Sequence, residues 1–198
     1  MERKMKRVWG WLGLVLLLWG LWTVPSWAGL QDDRYDGNIF ALYAGNGSLV
    51  PPKVTLEKSR QSDRATLLLF YVNDSRDCKQ FASTISQLQG YYGRVTDFIA
   101  IDVDALPFGA QFSANEAGYY YKGRVPQTLI FDRQGQLRQE FIGVVPFEIL
   151  DDTFREVFDL LPRSQSLELR PRPVNEINVE LVPPTPVKGK KLANETVE

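Results

Sequence analysis

The residues with the greatest potential for chemistry are Ser75 and Cys78, which are separated by Arg76 and Asp77. Cys78 is the only cysteine, so the chain can form neither an intramolecular disulfide nor a cysteine-rich zinc site. The chain has no histidine, and so lacks the usual general base at neutral pH and the commonest metal ligand. Ser–His–Asp and Cys–His catalysis are therefore excluded, and we expect no metal and no cofactor.

The overall composition is that of one ordinary globular domain with tails. The chain has 198 residues, of which 44% are hydrophobic and 24% charged, with a formal net charge of −1. This charge gives no reason to expect a nucleic-acid partner. Asp102 and Asp104 are spaced like paired carboxylates, but the end of a strand exposes acids without any function.

Residues 1–28 are predicted to be a membrane-targeting segment. Residues 1–7 contain four basic side chains, and the run from Val8 to Leu30 contains no charge. A basic flank before an apolar run directs the basic end to the cytoplasm. The run is long enough to span a bilayer, which takes about 20 residues. Small residues at Ser26 and Ala28 also suit cleavage after Ala28, so a signal peptide and an uncleaved anchor both stay open.

The rest of the chain divides into a linker at 29–37, a domain at 38–162 and an extension at 163–198. The extension is rich in proline and lysine without periodicity, and we expect it to be disordered. Strands are predicted, in chain order, at 39–43, 66–72, 98–103, 128–131 and 137–142. Helices are predicted at 55–60, after Ser75, and from Pro146 to Pro162. This order favours an α/β fold with a central mixed sheet flanked by helices.

The predicted helix after Ser75 decides how Cys78 is interpreted. Ser75 suits the N-cap and Asp77 suits the positive end of the helix. Apolar residues recur at spacings of three and four, on one face, at Cys78, Phe81, Ile85, Leu88 and Tyr92. This pattern favours a buried structural cysteine, although a reactive single thiol stays open.

Three segments, together with the order of the elements, resemble thioredoxin. Residues 70–79 (FYVNDSRDCK) resemble its strand, active-site turn and helix start, and 125–128 (VPQT) resemble the segment with its cis-proline. Gly143 and the last helix resemble its final turn and helix. The resemblance implies a thioredoxin-like fold over 38–162. It also implies a partner-binding surface at Val125 and Pro126, where an extended peptide could add as a strand.

The departures from thioredoxin fall on the residues that carry its chemistry. Ser75 stands where the attacking cysteine belongs, and Leu69 stands where the family has a buried acid. Thiol–disulfide exchange begins with a thiolate, which a serine hydroxyl cannot replace at neutral pH. We therefore expect no dithiol–disulfide oxidoreductase activity.

A narrower resemblance covers most of the chain after the leader. The segments FYVNDSRDCKQ, GYYYKGRVPQT and DDTFREVFDLLPRS resemble cyanobacterial thylakoid-membrane proteins of the photosystem I accumulation factor family. That resemblance implies a non-cytoplasmic domain at the thylakoid membrane or lumen, or at the plasma membrane. It also implies photosystem I subunits or assembly factors as partners.

Three functions remain open from the sequence. The first is a non-catalytic factor that binds its partners through the Ser75–Cys78 turn and Pro126. The second is a monothiol redox protein in which Cys78 forms mixed disulfides. The third is a membrane-tethered scaffold that uses its tail and an aromatic patch formed by Tyr119, Tyr120 and Tyr121, which could instead pack over the end of the sheet.

Overall fold

The computed structural model describes residues 29–166. The predicted leader, with its possible cleavage site, and residues 167–198 of the predicted extension lie outside the described residues. Within the described range, every helix is too short or too polar to cross a bilayer.

Four strands form one mixed sheet in the order β2-β1-β3-β4. They are β1 (Ala65–Tyr71), β2 (Thr96–Asp102), β3 (Gln127–Phe131) and β4 (Leu137–Ile142). The central strand β1 pairs in parallel with β2 and antiparallel with β3, and β3 pairs antiparallel with β4. Every residue of β1 is buried, as its continuous apolar sequence predicts. The four strands match the last four strands predicted from the sequence within two residues at each end.

Helices cover the sheet on both faces. They are α1 (Ile39–Leu42), α2 (Leu56–Arg60), α3 (Arg76–Tyr92) and α4 (Phe147–Val157). Side chains alternate along β1, so Leu67 and Leu69 face α1, α3 and α4 in one core cluster. Leu68 and Phe70 face α2 and the segment between β2 and β3 in a second cluster. The prediction of a thioredoxin-like α/β fold with a central mixed sheet is confirmed.

The predicted strand at 39–43 is wrong, because Ile39–Leu42 form the short helix α1. Asn38 is its N-cap, and its side-chain oxygen accepts hydrogen bonds from the amides of Phe40 and Ala41. One helical turn is enough to bury both Ile39 and Phe40. A five-residue apolar run has no periodicity that separates a strand from a helical turn, so the cap was the only available signal.

The last helix is shorter than predicted. It ends at Val157 rather than near Pro162, and Pro146 occupies its N-cap position rather than its first turn. Asp159, two residues beyond the helix, has a positive φ of 53°, which ends the helical path before the proline is reached.

Candidate functional site

The Ser75 turn is built by the end of β1 and the start of α3. Ser75 has the extended backbone of an N-cap, with φ −85° and ψ 124°, and its Oγ accepts a hydrogen bond from the Cys78 amide at 3.3 Å. Asn73 joins the turn to its neighbours, because its amide donates to Asp102 at 2.6 Å and its oxygen accepts from the Ile39 amide. The Ser75 hydroxyl is thus engaged in holding the first turn of the helix.

Cys78 lies beneath this turn and is 1% exposed. Burial is the main cause that raises the pKa of its thiol, and the charges of Asp77 and Asp74 raise it further. Hydrogen bonds from the Val72 backbone and the Ser75 hydroxyl act in the opposite direction and do not reverse the shift. The thiol is therefore neutral and shielded, whereas nucleophilic cysteines are exposed thiolates.

Leu69 occupies the position where the resemblance to thioredoxin implies a buried acid. It is 2% exposed and pairs in register with Ala100 on β2 and Thr128 on β3. An alkyl side chain at this point supplies no proton acceptor to the Cys78 thiol, which belongs to the same core cluster. Leu69 therefore contributes to the apolar core at a position where the resemblance implies a catalytic group.

The backbone at Val125 lies at the same end of the sheet as the Ser75 turn. Phe70 near the end of β1 pairs with Gln127 at the start of β3, so the residues after β1 and those before β3 are neighbours. The Val125–Pro126 peptide bond is cis, and the Pro126 carbonyl accepts from the Gly143 amide at 2.7 Å. Within residues 29–166, the Val125 amide and carbonyl make no hydrogen bond, so neither group is used by the domain itself.

Lys79, the residue after the cysteine, is a buried cation that the sequence analysis does not single out. Its side chain is 0% exposed, and its ammonium contacts five oxygen atoms between 2.6 and 3.3 Å away. These oxygens all belong to the preceding segment: the carbonyls of Gly29, Asp32 and Arg34 and the carboxylates of Asp32 and Asp36. We call residues 29–37, which the sequence analysis assigns to a linker, the clasp.

Charge and hydrogen bonding hold the clasp on the domain. Hydrogen bonds from Lys79 and then from Tyr43 lower the pKa of Asp36 below its ordinary value. Burial alone would lower the pKa of Lys79, but its bonds to Asp36 and Asp32 outweigh burial and raise it. Asp33 adds a third contact, since its carboxylate accepts from the Arg76 amide at 2.8 Å, at the positive end of α3.

The three consecutive tyrosines do not form one exposed patch. Tyr120 packs edge-on against Phe131, and Tyr121 packs at a tilt of 40° against Phe70, each with ring centroids 5.2 Å apart. Tyr119 is exposed and contacts Tyr120 alone among the aromatic rings of residues 29–166. Phe131 lies beside the start of β1 and Phe70 lies near its end, so two of the three rings pack across one face of the sheet rather than over its end.

In the described part of the chain, Asp102 and Asp104 belong to no group of three or more His, Cys, Asp or Glu side chains that could hold a metal ion. Asp102 accepts instead from the side chain of Asn73 and from the Asp104 amide. Burial raises the pKa of Asp102 above its ordinary value.

The chain resembles known proteins to different degrees. No protein-family model matches the chain. Among solved structures, a mutant thioredoxin from Halobacterium salinarum is 23% identical, with a TM-score of 0.41 over 54% of this chain and 86% of its own. A yeast mitochondrial 1-Cys peroxiredoxin is 20% identical, with a TM-score of 0.39 over 53% of this chain and 86% of its own.

A much stronger similarity relates the chain to a curated protein. Thylakoid membrane protein slr1796 of Synechocystis sp. (strain ATCC 27184 / PCC 6803 / Kazusa) is 48% identical over 180 residues. The alignment covers 86% of this chain and 90% of that protein. The chain therefore belongs to the family of the thylakoid membrane protein slr1796.

Proposed function

We propose that this protein is a non-catalytic thioredoxin-like factor that supports the assembly or accumulation of photosystem I by binding proteins at the thylakoid membrane. The observation that carries the proposal is the Ser75 turn, in which the shape of a thioredoxin site is kept by a helix cap while its nucleophile is absent. The photosystem I role rests on the resemblance of the sequence to the accumulation factor family.

The surface proposed to bind partners is the backbone beside Pro126. A partner segment in extended conformation would donate to and accept from the free amide and carbonyl of Val125. Main-chain pairing of this kind supplies affinity without chemistry. Such pairing also tolerates many partner sequences, because main-chain hydrogen bonds are the same for every residue and specificity comes from side-chain pockets.

The proposed location follows from the relative and from the leader. The curated relative is a thylakoid membrane protein by name, which supports a thylakoid location for this chain. The basic residues before the apolar run favour a cytoplasmic N-terminus, which would put the domain on the opposite, lumenal side.

The two alternatives have less support. A monothiol enzyme needs an accessible thiolate, whereas the Cys78 thiol is buried and its pKa is raised. A scaffold that used the aromatic patch would need all three tyrosines exposed, and two of them pack against the sheet.

Site-directed photocrosslinking in cyanobacterial membranes tests the proposal. A photoreactive amino acid would replace Arg124, which is exposed and adjacent to Val125. The control would carry the same group at Gln134, an exposed residue of the turn after β3, at the opposite end of that strand. We expect crosslinks to photosystem I subunits or their assembly factors from position 124 and none from position 134.

Three results would count against the proposal. Equal crosslinking from both positions would show that the Val125 surface has no special role. Reproducible crosslinks to proteins unrelated to photosystem I would leave a binding factor but remove the proposed partner. Disulfide reduction by the purified protein in an insulin assay would contradict the non-catalytic assignment.

A further inference from the structure

The clasp begins where the apolar run of the leader ends. The uncharged run extends to Leu30, and the Gly29 carbonyl already accepts a hydrogen bond from Lys79 at 3.1 Å. Position 29 also fits closely, because a Cβ atom there would overlap the Asp32 carboxylate. No spare residues therefore lie between the run and the first fixed contact of the domain. If the run crosses a bilayer, the domain cannot move far from that bilayer's surface.

Apolar side chains are exposed on and beside the clasp. Leu30 is 39% exposed, Tyr35 is 72% exposed and Leu42, at the end of α1, is 51% exposed. Gly37 has a positive φ of 123° and lies against Leu42, where an added Cβ would be 3.1 Å from Leu42 Cδ1. The turn at Gly37 thus places the end of the clasp beside the end of α1. Tyrosine and leucine suit the boundary between headgroups and acyl chains.

Most of the negative charge of this surface is already neutralised. Asp32 and Asp36 pair with Lys79, and Asp33 accepts from the N-terminus of α3. The guanidinium of Arg34 pairs with Asp32 at 3.1 Å, and its largely exposed side chain places a further positive charge at this surface, where headgroup phosphates are attracted. The surface can therefore approach an anionic membrane without bringing three unpaired carboxylates against it.

We propose that the clasp and α1 form a membrane-contact surface, on which Leu30, Tyr35 and Leu42 enter the lipid interface while the leader remains as an anchor. The clasp then acts as a rigid mount for the domain. It brings the N-terminal end of α3, and with it the Ser75 turn, to the level of the headgroups. This inference goes beyond the proposed function, because it concerns lipid and holds whichever protein binds at Val125.

Fluorescence quenching on the full chain in nanodiscs of phosphatidylcholine and phosphatidylglycerol tests the proposal. In a Cys78→Ala background, Leu42→Cys would carry an environment-sensitive fluorophore, and Ile149→Cys on α4 would be the control with similar native exposure. Lipids with a spin label near the headgroup should quench the fluorophore at position 42 strongly and the fluorophore at position 149 little. Equal quenching at both positions would overturn the proposal.

A second variant tests the mount itself and leaves the clasp intact. Insertion of about twelve glycine and serine residues between Ala28 and Gly29 would add slack without removing any contact of Lys79. We expect quenching at position 42 to fall several-fold, and an undiminished signal would refute the role of the short connection. An intact mass that lacks residues 1–28, measured on protein isolated from membranes, would also overturn the proposal. The quenching and mass measurements do not depend on capture of a photosystem I protein, so their failure is distinguishable from failure of the proposed function.

Discussion

Replacement of Lys79 by methionine should release the clasp from the domain. Methionine has nearly the length of the lysine side chain but provides no hydrogen-bond donor. The substitution leaves three backbone carbonyls and the carboxylates of Asp32 and Asp36 without the ammonium that now binds them. The two carboxylates would then face each other across an apolar side chain.

The magnitude follows from the burial of this ion cluster. Loss of one partner from a buried ion pair costs about 3–5 kcal/mol, because the remaining charge stays desolvated. Asp32 is one-third exposed and can regain water when the clasp opens, so we expect the low end of that range, about 3 kcal/mol. For a chain of this size, such a loss lowers the melting temperature by roughly 10 °C.

Urea unfolding and hydrogen exchange measure the two parts of this effect. Purified Lys79→Met should show a lower free energy of unfolding, together with faster amide exchange across residues 29–37 and at Arg76. Lys58→Met on α2 is the matched control, because Lys58 is exposed and its side chain makes no ion pair within residues 29–166. An unchanged exchange rate across the clasp in Lys79→Met would refute the reasoning, even if the overall stability fell.

Three further results are expected. Ser75→Ala should lose about 1 kcal/mol in urea unfolding and no catalytic activity, since its hydroxyl caps α3; loss of a measurable activity would contradict this. Cys78 should react with iodoacetamide slowly in the folded protein and fast in denaturant, and fast labelling of the folded protein would restore the monothiol alternative. The lowered pKa of Asp36 adds stability that is complete above the unfolded pKa, about 3.9, and is lost as the pH falls through the folded value. Asp36→Asn should therefore flatten the pH dependence of unfolding below about pH 4, and an unaltered profile would argue against the Asp36–Lys79 pair.

Local signals predicted most of the sheet and the site turn from the sequence. The apolar run of β1 and the period of α3 are contained within single segments, and the Ser75 cap lies three residues from the amide that it accepts from. Such patterns need no knowledge of distant residues. The aspartate-rich sequence before the domain offered a signal for the clasp, yet an acidic run usually indicates a solvated segment.

The clasp could not be predicted because its contacts are distant in sequence. Lys79 meets Asp36 and Gly29 across 43 and 50 residues, and only the folded domain brings them together. Burial of a lysine also contradicts the ordinary expectation for that residue, which holds unless the cation is fully paired. The helix at Ile39–Leu42 was missed for a related reason, since its burial depends on α3 rather than on its own pattern.

The carboxylate of Asp33 has a consequence for any attempt to restore disulfide chemistry. In an active thiol site, the positive end of a helix stabilises a thiolate and so promotes its formation. Here an aspartate from the clasp already accepts from the Arg76 amide at that end. A cysteine introduced at position 75 would have to compete with this resident anion, and repulsion between them would keep the new thiol protonated. Besides a proton acceptor at the Leu69 position, recovery of a reactive site would therefore take both a cysteine in the turn and the removal of Asp33 from the N-terminal end of α3.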